Sequence, residues 1–266
     1  MLRDLLLKES GLGNLENFKA FYDAITKENK HGLILMEHYS NTDLPAIVYL
    51  LENQGEEWAK DLASRIVPVA GMKLNEENPL VRAWAEAFTR IVIYPSRSLS
   101  AITDENERAV EEEKSRRINM AAMRSMDGVK KQCRPILVFP SGTRYRPGNP
   151  ETKKGVREMD SYLRLFDIML LISENGNVLR INPENPSDML ADHFVEDTVI
   201  LGAGPVLECK KFRNDILATL EDYEGDKKVV TVGKIMEELQ KLHDKYTPMY
   251  KAAFKSATGQ ESDVEQ

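Results

Sequence analysis

The sequence predicts an α/β fold: a mixed, mostly parallel sheet flanked by helices, in a single domain over residues 1–255. Three observations lead there. Short apolar runs, each closed by Gly, Pro or Ser turn residues, read as interior strands. Those runs alternate with amphipathic helical stretches, the pattern of a parallel sheet covered on both faces. And 266 residues, 42% hydrophobic and 30% charged, can bury one sizeable core.

In chain order, Leu15, Phe18, Phe21, Tyr22 and Ile25 recur at helical spacing. Leu33-Ile34-Leu35-Met36 then reads as a buried strand ending at His38. Ser40, Asn41, Thr42 and Asp43 are good N-cap residues, Pro45 suits a first helical turn, and Ile47, Val48, Leu50 and Leu51 supply an apolar face. Three more strands are expected at Ile66–Ala70, Ile91–Tyr94 and Ile136–Phe139. Between the last two lies a long charged helix from about Thr103 to Lys131, with Ile118, Ala122, Met126 and Val129 on its apolar side and Thr103 and Asp104 to cap it. A final helix presents Ile235, Leu239, Leu242 and Tyr246 on one face. The polar stretch 256–266 has nothing to bury and is expected to be a disordered tail. In such a fold the ligand crevice lies at the carboxyl ends of the strands.

Several classes are excluded. A formal net charge of −7 argues against a protein that coats nucleic acid. Cys133 and Cys209 form neither a disulfide framework nor a C-x-x-C motif, so a reducing compartment is expected. MLRDLLLKESG is too short and too charged for a signal peptide, and no apolar stretch approaches the roughly 18 residues that span a bilayer. Gly202-Ala203-Gly204-Pro205 lacks the third glycine of a dinucleotide fingerprint and reads as a turn after a strand-like run. Asp188, Asp192 and His193 have no second histidine at ligand spacing and read as a solvated loop. No metal and no cofactor is indicated.

Two motifs fall directly after predicted strands. The first is His38-Tyr39-Ser40-Asn41-Thr42-Asp43. A loop and a helical turn can return the Asp43 carboxylate to one imidazole nitrogen, leaving the other as a general base. With four histidines, and sixteen aspartates among the acids, this spacing arises by accident in roughly one chain in four. A capping Asp43 beside a structural His38 is therefore the competing reading. The second motif is Phe139-Pro140-Ser141-Gly142-Thr143-Arg144-Tyr145-Arg146-Pro147. Its turn can expose backbone N–H groups, and two arginines at alternate positions can aim forked donors at a phosphate. The competing reading is a solvated loop paired with surface acids. Ser141 lacks the G-x-S-x-G context of a nucleophile. Arg97, after the strand ending at Tyr94, opens onto the same crevice edge.

Together these residues resemble the glycerolphosphate acyltransferase superfamily, whose first block is His-x₄-Asp and whose third reads Phe-Pro-x-Gly-Thr-Arg. The likeness is greater to the soluble, plastid-type glycerol-3-phosphate acyltransferases, which share the serine at Ser141 and the paired arginines; membrane-bound relatives usually carry Glu there. It runs from about Gly13 to Tyr162, with the catalytic blocks within 30–165. The resemblance implies acyl transfer from a thioester, on acyl carrier protein or coenzyme A, to the 1-hydroxyl of glycerol 3-phosphate, giving lysophosphatidic acid. His38 would take the hydroxyl proton and Asp43 would orient it. Arg144, Arg146 and Arg97 would bind phosphate, and Ser141, Gly142 and Thr143 would line the acceptor site, with the backbone of Gly142 and Thr143 as donors. The sequence departs from that family in Ser96-Arg97-Ser98, where the plastid enzymes carry Lys-His, and in Val178-Leu179-Arg180-Ile181, which lacks the proline of a fourth block. A lysophospholipid acceptor, or a lipid- or phosphate-binding protein without activity, are the alternatives. The expected location is cytoplasmic, with peripheral contact at the inner membrane surface. Residues 114–157 carry twelve Lys or Arg and two acids, a stretch suited to an acidic carrier protein or to coenzyme A phosphates.

Overall fold

Leu33 and Leu35 point to one side of the central strand, Ile34 and Met36 to the other, and each side meets its own set of helices. This period-two division of a wholly buried strand organises the molecule. The computed structural model of the chain describes residues 2–72, 88–100, 102–186 and 188–262. In order these form α1 (Leu2–Leu5), β1 (Gly11–Gly13), α2 (Leu15–Lys27), β2 (Gly32–Met36), α3 (Asp43–Glu52), α4 (Glu57–Arg65), β3 (Val67–Gly71), β4 (Ile91–Ile93), α5 (Ser96–Ser100), α6 (Glu105–Lys130) and β5 (Ile136–Val138). A 3-10 turn at Pro150–Lys153 leads to α7 (Met159–Leu165), β6 (Ile168–Asn175), β7 (Leu179–Arg180), β8 (His193–Phe194), β9 (Ile200–Ala203), β10 (Leu207–Glu208), α8 (Cys209–Ala218) and α9 (Lys227–Thr258).

The main sheet runs β1-β9-β6-β2-β5-β3-β4, with β10 paired to β6. Its neighbours are parallel except β6 against β9 and β10 against β6. On one face, Phe18, Phe21 and Ile25 of α2, Ile47 and Leu51 of α3 and Leu62 of α4 pack on Ile34, Met36, Leu170 and Ile172. On the other, Ala122 and Met126 of α6, Met159 and Leu163 of α7, and Ile235 and Leu239 of α9 cover Leu33, Leu35, Val138 and Leu171. Each buried Leu, Ile, Val, Phe or Met among them stabilises the fold by about 1.5–3 kcal/mol relative to exposure. The mixed sheet flanked by helices is the architecture the alternation predicts.

Three details differ. The strand beside β2 is β6, which the predicted strands do not include; its apolar run ends in Ser173, Glu174 and Asn175, all buried. Gly202 and Ala203 form strand rather than turn, since both pair with β6, and the Tyr246 ring of α9 takes the space a Cβ at Gly202 would need. The C-terminal helix runs on through residues 256–258 of the expected tail and closes at Gly259, whose left-handed φ of 72° suits glycine. Beyond it Ser262 bonds the Tyr250 hydroxyl at 2.9 Å, and residues 263–266 lie outside the described residues. No helix among the described residues is long and apolar enough to cross a membrane.

The strands β2, β5 and β4 end at Met36, Val138 and Ile93, just ahead of His38, Phe139 and Tyr94, so the two motifs and Arg97 emerge on one edge of the sheet.

Candidate active site

The loop from Glu37 to Thr42 turns back on the side chain that begins α3. Thr42 occupies the N-cap position but makes no side-chain cap bond. Instead the Asp43 carboxylate, fully buried, accepts from the Tyr39 amide at 2.8 Å, from the Ser40 amide at 2.9 Å and from the Ser40 hydroxyl at 2.6 Å. It also faces His38 Nδ1 at 2.7 Å. An ionised carboxylate only accepts, so the imidazole proton sits on Nδ1 and Nε2 keeps its lone pair. Among the described residues Nε2 has no hydrogen-bond partner. The spacing that left open a cap and a structural histidine thus folds into a hydrogen-bonded pair. The imidazole is 16% exposed and stacks on Phe139 with ring centroids 4.0 Å apart. The Tyr145 amide donates to the His38 carbonyl at 2.8 Å, fastening the second motif to the first.

That second motif is a tight turn. Gly142 sits at φ 64° and its amide donates back to Phe139 at 2.9 Å, so it is not available to a ligand. The Thr143 amide has no partner among the described residues. Ser141 Oγ donates to the Thr143 carbonyl at 2.6 Å, locking the turn.

A cavity of about 890 Å3 opens between these two motifs and the ends of β3 and β4. His38, Gly142, Thr143, Arg144 and Arg97 all line it. Leu44, Val69, Ile93, Val138, Met126 and Tyr162 give it a mainly apolar wall. Burial pushes the Tyr162 hydroxyl up to about 12, so it remains a neutral group there. Arg90 and Arg164 also reach the cavity, and sequence reasoning missed both. Ser141 lines a second, smaller cavity of about 260 Å3 on the other side of His38, with Glu37, Tyr145 and Lys153. Arg97 is exposed and donates to the Glu151 carbonyl at 3.3 Å.

Both motif arginines are buried, and both point at Asp192. Arg146 makes a two-pronged pair with it, at 2.8 and 2.6 Å, and Arg144 approaches at 3.2 Å. The Asp192 side chain is 3% exposed. The solvated loop expected at Asp188, Asp192 and His193 therefore holds for Asp188; His193 is exposed but lies in β8, and the Asp192 carboxylate is drawn inward by two guanidiniums. Arg146 lines neither cavity.

Behind the histidine lies a polar cluster with no warning in the motifs. His243 of α9 sits 2.9 Å from Glu37 Oε2, and the Tyr39 hydroxyl donates to Glu37 Oε1 at 3.2 Å. The Glu174 amide donates to Glu37 Oε2 at 2.9 Å. Burial and the neighbouring carboxylates hold the Tyr39 hydroxyl well above the usual tyrosine value. A signal did exist: His243 shares the apolar face of α9 with Leu239, Tyr246 and Tyr250, where a polar residue demands a buried partner. Among the described residues no group of His, Cys, Asp and Glu is arranged to hold a metal ion.

No protein-family model matches the chain, and no curated protein matches it by sequence. Among solved structures, it is similar to the 1-acyl-sn-glycerophosphate (LPA) acyltransferase PlsC from Thermotoga maritima, at 16% identity and a TM-score of 0.44, over 88% of this chain and 72% of that one.

Proposed function

We propose that this chain is an O-acyltransferase that moves a fatty acyl group from a thioester, on acyl carrier protein or coenzyme A, to the 1-hydroxyl of glycerol 3-phosphate. The observation that carries the reading is His38, its Nδ1 fixed by Asp43, set at a cavity of about 890 Å3 whose wall is apolar and which Arg144 and Arg97 also line. A base, a cation for phosphate and a greasy chamber in one crevice suit transfer of an acyl chain to a small phosphorylated alcohol.

In this reading Nε2 of His38 takes the proton of the acceptor hydroxyl, and the oxygen adds to the thioester carbonyl carbon. Asp43 stabilises the imidazolium that forms. The tetrahedral intermediate collapses with cleavage of the carbon–sulfur bond, and the departing thiolate takes the proton from His38. The Thr143 amide is the backbone donor available to the oxyanion or to phosphate. Arg144 contacts the phosphate directly. Arg146, outside the cavity, acts by sharing Asp192 with Arg144. Ser141 shapes the turn through its bond to Thr143. Peripheral contact with a membrane surface brings the enzyme to its lipid product, and the basic stretch 114–157 attracts the donor.

Labelled glycerol 3-phosphate incubated with acyl carrier protein or coenzyme A thioesters tests the reading. His38→Ala is expected to lower transfer about 10²–10⁴-fold; a variant with full activity refutes it. The apolar wall also favours a second acceptor, lysophosphatidic acid. Competition between the two acceptors at fixed donor tells which one the cavity prefers, and steep loss of donor affinity with added salt supports the role of the basic stretch.

A further inference from the structure

Glu174, the penultimate residue of β6, lies directly behind the His38–Asp43 pair and is 1% exposed. Three carboxyl groups, those of Glu37, Asp43 and Glu174, share this dry interior, and Asp197 stands close enough to act on Glu174 electrostatically. Two of the three have a basic partner: His38 on Asp43 at 2.7 Å and His243 on Glu37 at 2.9 Å. Among the described residues no Lys, Arg or His pairs with Glu174, no N–H reaches its carboxyl, and its Oε2 has no partner. By the alternation of β6 its side chain lies on the face of Ile168, Leu170 and Ile172, which α3 covers, so its carboxyl stands beside that of Asp43 at the start of that helix.

Two carboxyl groups in such contact share a proton, since like charges at that distance in a dry site are too costly. The donors decide where it sits. Asp43 already accepts from His38, the Tyr39 amide, and the Ser40 amide and hydroxyl, all of which favour its charged form. Glu174 has no such support.

We propose that Glu174 is a positioning residue for the His38–Asp43 pair: it donates a carboxyl O–H to Asp43, fixing that carboxylate against the imidazole and tempering the charge that His38 feels. Burial first, then the charges of Asp43 and Glu37, hold the Glu174 carboxyl well above the usual range. Without this donor Asp43 would bear its full charge on Nδ1–H and hold the imidazolium more tightly, leaving less free base near neutral pH. The groups facing the cluster are Asp43 from α3, Glu37 and Tyr39 from the loop after β2, Asp197 ahead of β9 and His243 from α9. On the open side, Arg90, Arg97, Arg144, Glu158 and Arg164 line the cavity that His38 shares.

The inference rests on His38 as the base of the proposed reaction, but its decisive readouts need no turnover. In the wild-type protein near neutral pH, infrared spectroscopy is expected to show the carbonyl stretch of a protonated, buried carboxyl group that Glu174→Gln removes. The His38 imidazole, assigned in NMR spectra through His38→Gln, is then titrated in each variant. Glu174→Gln, which keeps a neutral donor, is expected to hold the wild-type midpoint. Glu174→Met, which has none, is expected to raise it by about one pH unit, and the acid limb of the acyl-transfer rate moves with it. Absence of the band, or a Gln variant that shifts as far as the Met variant, overturns the proposal. Should the Met variant fail to fold, a Gln midpoint equal to wild type together with the band upholds the proposal, and a displaced Gln midpoint overturns it. Band and midpoints as expected with no acyl transfer overturn the functional reading alone.

Discussion

Asp43 draws its imidazole, backbone and hydroxyl donors from within five residues of itself, whereas Arg144 and Arg146 find their carboxylate 48 and 46 positions along the chain, in Asp192. The two corners face one crevice, yet they are held in opposite ways. The His38–Asp43 pair is set by its own loop, whose backbone amides hold the carboxylate, so the pair is formed before any ligand arrives. The cationic corner depends on a loop from across the fold, and one carboxylate already neutralises part of its charge. On the proposed function, an entering phosphate would join a site that holds an anion in advance.

The largest effect is expected from breaking the local corner. Asp43→Asn preserves the shape but removes the charge, and its amide can present an N–H where His38 needs an acceptor. The imidazole then turns to the wrong tautomer, and acyl transfer should fall about 10³–10⁴-fold, as in triads altered at the same position. Thioester turnover measured beside a circular dichroism spectrum separates this from unfolding. A variant retaining more than a tenth of the rate would show that the pair is structural.

Breaking the long-range corner should show first in stability. Asp192→Asn removes the carboxylate that the buried guanidiniums of Arg144 and Arg146, 6% and 7% exposed, share. Removing one partner of a buried ion pair costs about 3–5 kcal/mol. Denaturant unfolding is expected to reveal that loss, and inorganic phosphate should recover part of it, stabilising the variant more than the wild type because an anion can take the vacated place. Equal effects of phosphate on both proteins would separate Asp192 from the anion site.

The same contrast explains what the sequence discloses. His38 and Asp43 are legible because a short strand, a loop and a helix start confine them, and the apolar runs at Leu33–Met36 and Ile136–Phe139 are legible because β2 and β5 are buried on both faces. Asp192 is not, since nothing local marks one acid in an acid-rich loop as the partner of arginines far upstream. Glu174 and His243 are hidden likewise: the first ends a strand whose neighbours only the sheet order defines, and the second meets Glu37 only once α9 has docked. Tertiary pairing of polar groups is set by packing, which spacing along the chain does not encode.

A pH experiment sharpens the difference between the dry interior behind His38 and the rest of the molecule. Burial raises the carboxyls of both Glu174 and Asp197. The folded protein therefore keeps their protons where the unfolded chain has released them, so stability falls as pH rises above the ordinary value of about 4 and goes on falling through the folded-state pKa. Each such group contributes up to about 1.4 kcal/mol per pH unit. Glu174→Gln removes one of the two, so urea unfolding at pH 5 and pH 6 should show a shallower decline in the variant. A decline equal to that of wild type would mean that Glu174 ionises in the folded protein as it does in the unfolded chain.

The smallest effect concerns the turn that joins the two corners. Gly142 lies at φ 64°, and a Cβ there would come within 3.1 Å of Val156 Cγ1. The left-handed backbone alone costs a non-glycine residue about 1–2 kcal/mol, and a methyl group of valine can give by a few tenths of an ångström. Gly142→Ala is thus expected to lose about 1–2 kcal/mol in denaturant unfolding, less than the Asp192 variant. Its kinetic signature distinguishes the corners further. Thr143 and Arg144 follow directly, so a strained turn should raise KM for the phosphorylated acceptor, while His38, anchored through its own loop, keeps kcat nearly constant. A fall in kcat with KM unchanged would mean that the turn positions the base through the Phe139 stack and the Tyr145 bond to His38, and that the two corners are one mechanical unit.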